Sequence, residues 1–267
     1  MPPQNDRESF NWLHFGNWLG PPMEDRAARS RRWKALCEDL ALLHDESGPW
    51  DAIFMTGDIA RSGTTNHYES VSEELRDLHE KLSELGSTPV VLTFPGPSDT
   101  QNSLPPAWDF LPEPTNYEFE FMYLLSWRQG ALGDEFRAKV QSSFEPYDQW
   151  SRVTAPSRPE VFKRGILPGD FTATLALGTN RIGVAGLNTA IVQLSQGSVI
   201  RGRVPLDPRQ LEEACGGSPD VWAAKHDLCL LMTHHSPSFL GPESRWGFYI
   251  VRAGRPDVAR PGTAVQG

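Results

Sequence analysis

Over its first hundred residues the chain alternates short apolar runs with longer stretches of helical spacing. Residues Phe10 to Phe15 alternate apolar with polar, which predicts a strand. Residues 24–45 then place Trp33, Leu36, Leu40 and Leu43 on one helical face. Asp51 to Thr56 is a short continuous apolar run and reads as a buried strand. A second helix is expected over 68–85, with Val71, Leu75, Leu78, Leu82 and Leu85 as its stripe and Gly86 as its stop. Pro89 to Phe94 reads as a third strand. Strands joined through helices predict parallel pairing in an α/β fold. In such sheets the functional loops lie at the carboxyl ends of the strands, here 16–20, 57–63 and 95–101.

The pattern then changes. Residues 101–165 are rich in Pro and aromatics and read as an insertion, with helices near 118–127 and 131–143. Thr172 to Leu177 and Arg181 to Ala185 flank Gly178-Thr179-Asn180, which predicts a hairpin with a tight turn. A short helix is expected over 207–214 and a buried strand over 228–233. The first nine residues read as a frayed N-terminus, 10–240 as the domain, and 241–267 as a tail or an incomplete domain end.

Composition narrows the function classes. The chain of 267 residues is long enough for a sizeable core, and its net charge of −9 argues against general nucleic-acid binding. The one concentrated basic run is Arg26, Arg29, Arg31 and Arg32, on the first helix. Three cysteines without a CxxC pair suggest neither a disulfide framework nor a zinc knuckle; Cys37 and Cys229 lie in apolar runs and are expected in the core. No apolar signal core or membrane-length run occurs, so a soluble, reducing, cytoplasmic setting without membrane attachment is expected. Trp18, Trp50, Trp108 and Trp246 fall in loop-like contexts and are expected to fold onto the core.

Five ordered segments carry a resemblance. They are Leu13 to Leu19 at the end of the first strand, Phe54 to Gly63 at the end of the second, with Gly57-Asp58 and Arg61, and Phe94 to Asp99 at the end of the third. The others are Gly186 to Ala190 with Leu206 to Leu211, and Thr233 to Leu240 with its His234-His235 pair. Together they resemble the calcineurin-like metallophosphoesterases. That resemblance implies a two-sheet β-sandwich flanked by helices. It also implies a site in which two divalent metals activate a hydroxide for in-line attack on phosphorus.

The departures fall on the ligands themselves. The family pattern has Asp and His where this chain has Asn17 and Leu19, and Asn and His where it has Pro97 and Ser98. No histidine follows His235 to form the family's last motif. Gly57, Asp58, Gly96, Asp99, His234 and His235 keep their motif positions, but only Asp58 and His234 match as ligands. A catalytic metal site usually takes about three good protein ligands per ion. No cofactor is therefore expected beyond a weak divalent metal at Asp58 and His234. Serine at 98 cannot replace an imidazole as general acid near neutral pH.

The expected function is that of a catalytically inactive, metallophosphoesterase-like interaction or adaptor module. The resemblance places such degenerate domains in bacterial conflict or signalling systems, with another protein of the same system as partner. Trp18, Leu19 and Arg61 are the candidate interaction surface. Two alternatives stay open. One is a non-hydrolysing nucleotide or phosphate sensor using Arg61 and the loop amides near Gly57 and Gly96. The other is a phosphoesterase with an altered single-metal site built from Asp58, His234, His235, Asn17 and Asp99.

Overall fold

The computed structural model describes residues 9–18, 26–101, 131–154, 159–191, 204–242 and, singly, 202 and 244. It is a mixed α/β structure with two sheets. Strands β1 (Trp12–Phe15), β2 (Ala52–Thr56) and β3 (Val90–Phe94) form a parallel three-stranded sheet in that order. Helices α1 (Arg26–Ser47) and α2 (Thr65–Glu84) are the crossovers, as the alternation of strand and helix patterns predicts. Burial explains why β2 has no polar alternation: all five of its residues are buried.

The second sheet has the order β4-β5-β6-β7. Strands β5 (Phe171–Leu177) and β6 (Asn180–Leu187) form the predicted hairpin across Gly178 and Thr179, with Gly178 at φ +58°. Strand β7 (Leu228–Thr233) pairs parallel with β6, and β4 (Val161–Arg164) pairs antiparallel with β5. Apolar residues of both sheets meet in one core cluster, with Phe54, Leu92 and Phe94 from the first and Phe171, Val184 and Met232 from the second. A separate cluster covers the other face of the first sheet, where Ile53 and Met55 meet Leu40 of α1 and Leu78 of α2.

The stretch 101–165 holds more structure than helices alone. The helix expected at 131–143 is present as α3 (Ala131–Ser143), whereas 118–127 lies outside the described residues. It is followed by α4 (Glu145–Val153), which buries Tyr147 and Trp150, and by β4, an edge strand of the second sheet. Two short helices, α5 (Pro208–Cys215) and α6 (Pro219–Ala223), precede β7. The sequence pattern anticipates α5 but not α4, α6 or β4. Cys229 is exposed rather than core, because β7 opens on two exposed residues. Trp50 is buried and Trp18 packs against the core; Trp108 and Trp246 lie outside the described residues. No helix among the described residues is long and apolar enough to cross a membrane.

Candidate functional site

The ends of β2, β3 and β7 converge, and the contact is made through backbone. Gly57 has φ +93°, and a Cβ there would lie 2.6 Å from His234 Nδ1 and 2.7 Å from the Gly96 amide nitrogen. A Cβ on Gly96 would collide with the Asp58 amide. Glycine at both positions is what lets the two loops touch. Further along, the Gly63 amide donates to Thr100 O at 3.1 Å, so the loops are joined at both ends.

Asp58 sits in the left-handed region at φ +51°. Its Oδ1 accepts the Ser98 amide at 2.9 Å, and its Oδ2 lies 3.8 Å from His234 Nε2. That second distance is beyond a hydrogen bond. His234 Nδ1 donates to the Thr56 carbonyl at 2.8 Å, which places a proton on Nδ1 and turns Nε2 toward Asp58. Thr56 is shared from below, since His14 Nε2 lies 2.8 Å from its Oγ1. Burial lowers the His14 pKa.

His235 points elsewhere. Its Nδ1 lies 3.0 Å from Thr189 Oγ1, and its ring meets that of His234 edge-on at 4.8 Å. Burial, and then the neighbouring His234, pull its pKa down to about 4. Asn17 is exposed in the left-handed conformation that Asn tolerates. Trp18 folds inward: its indole N–H donates to Glu74 Oε2 at 3.0 Å and its ring stands edge-on to Phe15. Arg61 is exposed on the β2 loop, and Leu19 lies outside the described residues.

Asp99, which keeps its motif position in sequence, braces two loops. It is completely buried and accepts the amides of Ile59, Ala60 and Gly96, together with the Tyr68 hydroxyl at 2.9 Å. Burial nevertheless raises its pKa to about 6, against the pull of those donors. A second buried carboxylate escapes sequence reasoning. Asp170 accepts the amides of Leu167 and Asn188 and the Gln210 side-chain amide, and burial raises it to about 7. The usable signal was another Gly-Asp pair, Gly169-Asp170, just before a strand.

Chemically, the site brings together Asp58 and His234, while Asp99 and His235 are engaged by partners within the fold. The Asp58 carboxylate and His234 Nε2 face one another at 3.8 Å, two groups of metal-ligating type. Among the described residues no group of three His, Cys, Asp or Glu side chains is placed to hold a metal ion. The described residues therefore do not make up a two-metal centre. The amides of Ile59, Ala60, Gly96 and Ser98 already donate to carboxylates of the chain itself.

Set against known proteins, the chain matches no family model and no curated protein.

Proposed function

We infer that this chain is a degenerate calcineurin-like metallophosphoesterase that serves as an interaction or adaptor module. Its setting is a bacterial conflict or signalling system, and its partner is another protein of that system. The core cluster drawn from both sheets supports a two-sheet sandwich with α1 and α2 on its outside. The observation that carries the functional reading is the bond from the Ser98 amide to Asp58 Oδ1. Where the resemblance implies a catalytic imidazole and a metal-bridging carboxylate, a serine amide holds that carboxylate within the protein.

The remaining geometry supports the same reading over its alternatives. Two donors, Asp58 and His234, are fewer than the three or so a catalytic ion takes. A phosphate or nucleotide would need the loop amides, and four of these are satisfied by Asp99 and Asp58. A nearby pair of carboxylates also repels an anion.

The test combines metal content with turnover. The purified protein is expected to carry well under one equivalent of divalent ion. It is expected to leave a phosphate diester, a monoester and a cyclic nucleotide intact with Mn²⁺. Turnover that Asp58→Ala abolishes would overturn the inactive reading.

A further inference from the structure

Among the described residues the charges of helix α1 are only partly matched within the chain. From 26 to 34 every charged side chain is basic, and from 38 to 46 Glu38, Asp39, Asp45 and Glu46 are acidic with no Lys or Arg among them. That order opposes the helix dipole, which favours acids near the N-terminus and bases near the C-terminus. Within the fold Arg29 turns inward to Glu74, Nε to Oε1 at 3.3 Å, and Arg32 adds a weaker attraction to the same carboxylate. Arg31, Arg32, Ala35, Glu38 and Asp39 are exposed. Leu42 is 65% exposed on the same outward stripe, opposite the face that carries Leu36 and Leu40 into the core. The intrahelical pair Lys34–Glu38, at 3.7 Å, is well exposed and holds Glu38 only weakly.

The outward stripe is self-complementary when reversed. With two copies of α1 antiparallel and Ala35 against Ala35 at the crossing, the rise of about 1.5 Å and the turn of about 100° per residue together fix the other partners. Arg31 meets Glu38 of the second copy and Arg32 meets Asp39, on opposite flanks of the crossing. Leu42 lies over Ala28, so a large apolar side chain faces a small one. Two-fold symmetry repeats each contact, which is the mark of an isologous interface. We propose that the exposed face of α1 is a homodimer interface, in which a second copy of this chain packs its own α1 antiparallel through reciprocal Arg31–Glu38 and Arg32–Asp39 pairs. This assignment stands independently of how the Asp58 site is read.

The experiment is sedimentation velocity on the full chain, with circular dichroism as the control for folding. At about 0.05 M salt and up to about 200 µM protein, the expected species has twice the 29.8 kDa chain mass. It should dissociate toward about 1 M salt, where the Debye length is about 3 Å. The double variant Arg31→Glu/Arg32→Glu places acid against acid and should weaken association about 30-fold or more. It also brings the helix into line with its dipole, so loss of the dimer would not reflect loss of the helix. Glu38→Arg/Asp39→Arg should dissociate likewise, and an equimolar mixture of the two variants should recover a dimer. A monomeric wild type across this range would overturn the proposal. So would a dimer that survives both reversals, or a mixture that stays monomeric; binding of α1 by a different protein in place of a second copy would show as that monomer.

Discussion

Asp99 and Asp170 solve the same problem in the two halves of the chain, with different donors. Asp99 ties the loop after β2 to the loop after β3, taking three backbone amides and a tyrosine hydroxyl. Asp170 ties the entry of β5 to the end of β6 and to α5, taking two backbone amides and the Gln210 side-chain amide. Both are buried, at 0% and 1% exposure, so the cost of removing the charge from water is comparable. The pKa separates them, at about 6 for Asp99 and about 7 for Asp170. Donors that hydrogen-bond the charged form offset burial, and Asp99 has more of them. In both halves a buried carboxylate braces loops through the amides it collects.

Removing the carboxylates is the hardest test of that difference. Asp99→Ala would leave three buried amides and the Tyr68 hydroxyl without their acceptor. The expected loss is about 4 kcal/mol in urea unfolding, because each stranded buried donor costs about 1–3 kcal/mol before water or relaxation relieves it. Asp170→Ala strands fewer donors, and about 3 kcal/mol is expected. Equal losses, or a larger loss at Asp170, would break the comparison.

The next test varies pH. Both carboxyls hold their proton more tightly in the folded chain than in the unfolded one, where the ordinary value is 3.8. Their stabilising contribution is therefore fully present below about pH 4 and is lost as pH rises, through about 6 for Asp99 and about 7 for Asp170. Half-buried His14 and buried His226 and His235 act with the opposite sign, since their lowered pKa values cost stability as pH falls. The raw profile mixes the two, so the informative quantity is wild type minus Asp170→Asn. Between pH 4 and 7 that difference should shrink by roughly 2–3 kcal/mol. A difference independent of pH would mean that Asp170 stays ionised throughout.

How far these features were legible in the sequence depends on where the partners lie. The parallel sheet was legible because β2 and β3 are apolar runs that stop at Gly57-Asp58 and Pro95-Gly96, and because α2 repeats leucines at helical spacing. Strand β4 was not, because its four residues include Lys163 and Arg164 and its side chains are largely exposed at the sheet edge. The meeting of Asp58 with His234 was legible through motif order, since both stand at strand ends on one rim. The role of Asp99 was hidden. Residues 97–99 announce a turn, which they form, but the Ile59 and Ala60 amides arrive from about forty residues away. Asp170 is likewise hidden, because Gln210 reaches it from a different element.

The smallest effect sharpens the comparison most finely, since it alters one donor at a time. Tyr68→Phe removes only the hydroxyl that donates to Asp99 Oδ1, and the ring keeps its stacking on Trp150 at 5.1 Å. A single hydrogen bond to a charged acceptor contributes about 1.5 kcal/mol, and the three amides remain, so a loss of about 1 kcal/mol is expected at pH 8. At pH 4, where Asp99 is protonated, the phenol bonds a neutral acid and the loss should be smaller. The same substitution should lift the Asp99 pKa from about 6 toward the value of about 7 at Asp170, a shift that carboxyl NMR titration would read directly. If the pKa stays put while stability falls, Tyr68 acts through packing, and donor count is not what separates the two carboxylates.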